Sequence, residues 1–156
     1  MFTMQKIIPL LLILAVAAVN LLAADIPLVG VWKLNPPKSH FSHGSLPLSL
    51  VLTITADGAD GIQYASKNHL GDGSSGGANF HAKFDGKDYP VTGAPAYNMV
   101  SISRISGNTF NVKMKKDGQV IVDTTYTVAP DGKSLTRKGT ANHGEVNQFA
   151  EWFDRQ

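Results

Sequence analysis

The chain has 156 residues, and its hydrophobic content is unevenly distributed: 19 of the first 24 residues are apolar, against about 36% of the remaining 132. A body of that length suits one compact domain and argues against two. Its 13 Lys and Arg against 12 Asp and Glu leave a formal charge of +1, too little to build a phosphate-tracking surface, so a nucleic-acid partner is disfavoured.

Residues 1–24 have the layout of a secretory signal peptide, with one positive charge at Lys6 and an apolar run from Ile7 to Val19 containing Pro9. A spanning helix needs about 20 apolar residues, and Asn20 interrupts this run first. Cleavage is expected after Ala23 or Ala24. Leucines two positions earlier fit the small-x-small rule poorly, and Ala15 with Ala17 form an earlier, better-shaped site. No cysteine follows the run to take a lipid. The expected product is therefore a soluble, monomeric, periplasmic or secreted domain of residues 25–156, with no membrane span after cleavage. The chain has no cysteine, so no disulfide staples it and packing must supply its stability.

Past Asp25 the dominant period is two. Leu48, Leu50, Leu52 and Ile54 share one face, as do Phe80, Ala82 and Phe84; Phe110, Val112 and Met114; and Val120, Val122, Thr124, Tyr126 and Val128. Asp-Gly pairs at 57–58, 60–61, 72–73, 85–86, 117–118 and 131–132, with Gly107-Asn108, supply the positive φ that hairpin turns need. The pattern predicts nine or ten strands near 28–34, 47–56, 61–68, 77–85, 87–92, 98–106, 108–116, 119–129, 133–141 and 145–154. The fold class is all-β, an antiparallel up-and-down meander closing into a barrel, because closure removes exposed strand edges. Short strands and few aromatics argue against an outer-membrane barrel. Residues 35–47, with three prolines, are expected to form an ordered loop or lid over one barrel end, and residues 71–77 a flexible tip.

The opening strand reads Leu28-Val29-Gly30-Val31-Trp32-Lys33-Leu34-Asn35. Gly-x-Trp there, followed by an antiparallel meander, resembles the lipocalin and fatty-acid-binding-protein superfamily. The resemblance implies that Trp32 closes one barrel end and that an arginine from a late strand packs over it, with Arg137 the best-placed match. The chain is most similar to small exported bacterial proteins of lipocalin-like appearance. The shared features are Lys38-Ser39-His40-Phe41, the Phe-Asp-Gly-Lys-Asp-Tyr-Pro-Val-Thr-Gly of 84–93 and the Asp-Gly-Lys-Ser-Leu-Thr of 131–136. That likeness implies a barrel and no particular activity. The long carboxy-terminal helix of many lipocalins does not fit in the body, and nothing after Asn35 resembles the helix pair of fatty-acid-binding proteins.

Alternation puts Arg104 on the face of Val100 and Ile102, and Arg137 on the face of Leu135. An inward arginine needs a carboxylate, a carbonyl or a ligand. In the functional reading one or both hold an anionic headgroup together with the hydroxyls of Tyr64 or Tyr126. In the structural reading Arg137 stacks on Trp32 and Arg104 points to solvent after a bulge. His40 and His43 lie three apart, with His69, His81 and His143 elsewhere, and loop histidines are usually solvated, so no metal and no cofactor are expected. Glu145 and Glu151 share the face of Phe149 and Phe153 and read as strand-edge charges. The chain has no cysteine nucleophile, its aspartates mostly serve turns, and no catalytic residue is assigned.

The leading expectation is a barrel that binds a small apolar or amphiphilic molecule, with an anionic headgroup among the options, in a cavity of about 300 Å³ or more. Its contacts would be Trp32, Tyr64, Arg104, Tyr126 and Arg137. The alternatives are a filled barrel acting as a structural or interaction module through its loops, or a small hydrolase- or isomerase-type enzyme at the open end.

Overall fold

The computed structural model describes residues 25–142 and 144–156, so the signal-peptide expectation and His143 lie outside the described residues. Twelve strands form one antiparallel sheet: β1 (Gly30–Leu34), β2 (His40–Phe41), β3 (Ser49–Ala56), β4 (Gly61–His69), β5 (Ser75–Gly76), β6 (Asn79–Lys83), β7 (Tyr89–Pro90), β8 (Met99–Arg104), β9 (Thr109–Lys116), β10 (Gln119–Val128), β11 (Ser134–Asn142) and β12 (Val146–Arg155). The ten expected strands are present, each within a few residues of its expected ends. The two additions, β2 and β5, are two residues long, too short for an alternation pattern to reveal.

Neighbours follow the order β5-β4-β3-β1-β12-β11-β10-β9-β8-β7, with β6 on β4 and β2 on β12. The sheet curls until β6 meets the β7–β8 edge. Only two isolated bridges join them there, Asn79 with Thr92 and Asp85 with Ser103. The inner face carries Leu52, Ile54, Ile62, Val100, Ile102, Phe110, Val112, Leu135 and Phe153, all almost fully buried. Burial alternates cleanly along β9 and β10, as a sheet with one wet face requires.

Turn chemistry matches the sequence at Gly58, Gly73, Gly86, Gly118 and Gly132, which take positive φ, whereas Gly61 and Gly107-Asn108 do not. Asp117 (φ 49°) and Gly118 (φ 84°) both take positive φ, the mirror-image turn that suits the twist of the β9–β10 hairpin. A register shift between Val120 and Val122 bends β10 just beyond it. The hairpin tips fall at two ends. Residues 105–108 and 129–133 lie at the end where β1 begins, whereas 70–74, 116–119 and 144–146 lie at the opposite end.

The segment 35–47 is not a lid. Pro36 and Pro37 cannot donate to a ladder, so β1 stops and a 3-10 turn forms at Pro36–Lys38. The chain then rejoins the same neighbour, pairing His40 with Ala150 and Phe41 with Phe149. The Trp152 backbone N–H donates to Ser39 Oγ at 2.9 Å, and the Lys38 ammonium lies 5.1 Å from the Trp152 ring. β2 is thus a displaced continuation of β1 along β12. Residues 71–77 are likewise tied to the sheet, since β5 pairs with the end of β4.

Gly139 on β11 allows a very close approach to β10. A methyl group there would meet the Asp123 carbonyl oxygen and lie 2.7 Å from Thr124 Cα, both backbone atoms of β10. Gly139→Ala is expected to cost about 1–3 kcal/mol through overpacking that the ladder cannot relieve. Urea unfolding of the variant and the parent would measure it.

Candidate functional site

The two ends of the barrel are chemically different. At the β1 end Trp32 is completely buried and its indole N–H donates to the Leu28 carbonyl at 2.8 Å. The arginine above it is Arg155, whose guanidinium carbon lies 4.2 Å from the ring centroid. That guanidinium donates to the carbonyls of Gly132 (2.6 Å), Val29 (2.8 Å) and Pro27 (3.1 Å), tying three segments together. Gly30 makes room for it: at φ 151° a Cβ would stand 2.6 Å from Arg155 Nη1. The glycine of Gly-x-Trp is therefore explained by the arginine that covers the tryptophan.

Two expectations are corrected here. Arg137 does not stack on Trp32, because Trp32 faces Arg155 directly across the β1–β12 ladder while Arg137 sits deeper, opposite Glu151 on β12. Arg104 follows no bulge, since β8 pairs with β9 in unbroken register. Its guanidinium caps the Trp32 end, donating to the carbonyls of Gly107 (2.7 Å), Asp25 (3.2 Å) and, through Nε, Ser106 (3.3 Å), and it lies 5.3 Å from the Phe110 ring. Trp32 and Arg104 thus sit together at the closed end, away from the other three expected contacts.

Those three meet inside the barrel. Arg137 and Glu151 are cross-strand partners on the inner face, 9% and 5% exposed, with Nη1 and Oε2 3.4 Å apart. The guanidinium lies 5.0 Å from the Tyr126 ring and 5.7 Å from the Phe153 ring. Tyr64 stacks on Phe80 at 4.5 Å and 9°. Burial is the largest influence on Arg137 and opposes its charge, but the Glu151 carboxylate and the phenols of Tyr126, Tyr64 and Tyr97 together outweigh it and hold the guanidinium pKa above its ordinary value. Burial also raises the phenol pKa values of Tyr64, Tyr126 and Tyr97, with the positive charge of Arg137 acting the other way in each case. Tyr97 reaches this group from the irregular segment between β7 and β8.

Glu151 is the residue that sequence reasoning misplaced. Alternation put it on the face of Phe149 and Phe153, which is correct, but it is buried and ion-paired rather than a strand-edge charge. Glu145, by contrast, lies exposed in the β11–β12 turn. The signal for Glu151 was present: an inward arginine calls for an inward carboxylate on a neighbouring strand.

Arg137 and Glu151 line a pocket of about 230 Å³ at the end opposite Trp32, together with Phe41, Met114, Val122, Ala141, Asn147 and Phe149. Phe41 and Phe149 meet edge to face at 5.8 Å on its wall. At about 230 Å³ the pocket is smaller than the expected cavity, whereas a separate hollow of about 340 Å³ borders Tyr64 and Phe80. Two fully enclosed atoms of this ion pair have no hydrogen-bond partner in the protein, Arg137 Nε and Glu151 Oε2. Among the described residues, the one other such atom is Asn68 Oδ1.

The four described histidines do not converge. His40 and His43 are exposed, His69 Nδ1 lies 2.9 Å from Ser75 Oγ, and His81 Nδ1 lies 3.1 Å from Asp57. No three His, Cys, Asp or Glu residues among the described residues are placed to hold a metal. Residues 73–77 do spell Gly-x-Ser-x-Gly around Ser75, the pattern of a nucleophile elbow. Here it forms a turn and an exposed two-residue strand, without the strand-turn-helix geometry that projects a nucleophile.

No protein-family model matches the chain, and no curated protein matches it. Solved structures do. The fold is similar to a redesigned β-barrel (TM-score 0.53, 11% identity, 83% of this chain and 92% of that one). It is also similar to Rv2717c from M. tuberculosis (TM-score 0.52, 14% identity, 83% of this chain and 93% of that one). At these identities the likeness is one of fold, a curled antiparallel half-barrel.

Two predictions follow from the buried pair and its tyrosines. Glu151→Ala strands a buried guanidinium and should cost about 3–5 kcal/mol, whereas the double variant Arg137→Met, Glu151→Leu should be near neutral or stabilising. Denaturant midpoints of parent, single and double variants separate these outcomes. The raised phenol pKa values mean that the unfolded chain loses tyrosine protons first. Their contribution to stability is complete below the ordinary value of 10.0 and is lost as pH rises through the folded-state values. Absorbance at 295 nm just above that pH should show fewer ionised tyrosines in the native protein than in the same protein in guanidinium chloride.

Proposed function

We propose that the chain is a lipocalin-like binding protein that takes a small apolar or amphiphilic molecule at the mouth opposite Trp32. The observation that carries this reading is a pocket with apolar walls at Phe41, Met114, Val122 and Phe149 and a buried, incompletely bonded polar pair at Arg137 and Glu151. Ligand sites combine such walls with a few placed polar groups. Tyr64, Tyr97 and Tyr126 lie near the Arg137 guanidinium, whereas Trp32 and Arg104 serve the closed end. The Gly30-x-Trp32 opening, covered by an arginine from the last strand, supports the lipocalin-like reading. The protein works after export, as a soluble monomer in the periplasm or outside the cell, with residues 1–24 removed as a signal peptide.

A second reading, an interaction module, draws on the rim of the same mouth. Leu48, Leu70, Val120 and Val146 are exposed on the loops and hairpins of that end (63%, 37%, 45% and 59%). Scattered exposed aliphatic residues are common, and a rim of them becomes informative only as a continuous patch.

Native mass spectrometry of protein purified from its own host, with extraction of whatever is bound, tests the first reading. The expected result is a small molecule in the parent that is absent from Met114→Trp, a variant that fills the pocket. Equal ligand content in both, or an empty parent with no thermal shift across a panel of small amphiphiles, would favour the interaction module.

A further inference from the structure

We propose that Asp57 is a site of spontaneous covalent modification, at which the Asp57-Gly58 link rearranges to an isoaspartyl link with His81 as the proton donor. In an Asp-Gly pair the glycine amide nitrogen can attack the carboxyl carbon of the preceding side chain. The N–C bond forms as the amide proton passes to solvent, and one carboxyl oxygen leaves as water, closing a succinimide ring. Water then opens the ring at either carbonyl, so the product keeps the mass of the parent while its main chain runs through the aspartate side chain. The step needs a glycine amide free of an acceptor, a backbone able to turn, and a proton for the departing oxygen.

Six Asp-Gly pairs occur in the chain, and the structure separates them. Three are locked on both sides of the reacting bond. The N–H groups of Gly73, Gly86 and Gly132 donate to the carbonyls of Leu70 (3.1 Å), Ile102 (2.8 Å) and Ala129 (2.8 Å). The carboxylates before them each accept from the backbone N–H two residues on, at Ser74, Lys87 and Lys133. Asp60-Gly61 is held by packing, since a methyl group on Gly61 would meet the Asp57 carbonyl at 2.9 Å and the Ala82 carbonyl at 3.0 Å. Asp117-Gly118 is the tip of a two-residue turn in which Asn98 grips Asp117 twice. Asn98 Nδ2 donates to Asp117 Oδ1 (3.0 Å), and the Asp117 N–H donates to Asn98 Oδ1 (3.2 Å).

Asp57-Gly58 lacks these restraints. Of the N–H groups of residues 57–60, only that of Asp57 has an acceptor among the described residues, the Gly61 carbonyl at 2.9 Å. The space around Gly58 is open: beyond its chain neighbours, a methyl group there would find only Asp60 Oδ1, at 3.7 Å. The Asp57 side chain is 55% exposed, and its contact is His81, whose Nδ1 lies 3.1 Å from Oδ2. A protonated imidazole in that position stands at the oxygen that must leave.

Ageing the whole protein in mildly acidic buffer, with tryptic digestion and electron-transfer fragmentation to tell the two linkages apart, tests the proposal. Isoaspartate should accumulate at residue 57 faster than at any other Asp-Gly pair, and that preference should vanish in urea. His81→Gln keeps a hydrogen-bond donor beside Asp57 but cannot release a proton from it. It should slow the change at residue 57 several-fold, short of the roughly hundredfold that a preorganised general acid supplies, and leave the other pairs unaffected. Equal or faster accumulation at Asp117 or any other pair in the folded protein would overturn the assignment of the site. So would a folded protein that stays unmodified at residue 57 while the urea sample changes. An unchanged or increased rate in His81→Gln, with circular dichroism matching the parent, would overturn the role of His81.

Discussion

The pairing of Arg137 with Glu151 across the β11–β12 ladder is the constraint around which the interior is organised. Neither charge is tolerable alone at that depth, since an unpaired buried ion carries most of its lost hydration as a penalty. The ladder fixes their meeting in the same register that puts Leu135 against Phe153 on one side and Gly139 against Phe149 on the other. Toward Trp32 the inner-face side chains of Trp32, Leu135 and Phe153 are completely buried. Away from it they become smaller and more open, with Gly139 and Ala141 leaving the space that the mouth occupies. The ion pair lies on the wall of the pocket that opens at the end opposite Trp32.

That division also accounts for the two arginines that do not enter the pocket. Arg104 and Arg155 both end on backbone carbonyls at the Trp32 end, where strands stop and leave acceptors unpaired. A guanidinium supplies several donors in a fixed plane and can serve carbonyls from separate segments at once. Closing a barrel end in this way needs no carboxylate, so the only deeply buried acidic side chain among the described residues is the one that Arg137 requires.

Alternation and Asp-Gly turns made most of the strands legible, and the inner face of β8 to β12 can be read residue by residue from the sequence. Partnership was not legible. Alternation states which face a side chain takes, but which residues meet depends on register, and Arg137 was matched to Trp32 when the ladder gives Trp32 to Arg155. Glu151 failed for the same reason: its face was right and its partner unseen. Tyr97 was missed because it lies in an irregular segment with no period to place it. The prolines at 36 and 37 read as a loop because a strand that breaks and then resumes beside the same neighbour has the local chemistry of a loop and the tertiary position of a strand.

β12 follows every other strand in the chain yet lies in the middle of the sheet, between β1 and β11. Until it is in place, β1 with β3 and β4 forms one fragment and β8 to β11 another, and Arg137 stands on the second fragment without its counter-charge. The contacts that join them span most of the chain, as in Trp32 with Arg155 and the Gln156 N–H with the Val31 carbonyl. Such a topology defers the main stabilising step to the last of the described strands to be synthesised and pays a large loop-closure entropy to reach it, which makes slow folding intrinsic to the architecture. A nascent or truncated chain lacking β12 would expose two unpaired strand edges, from β1 and β11, at the same time.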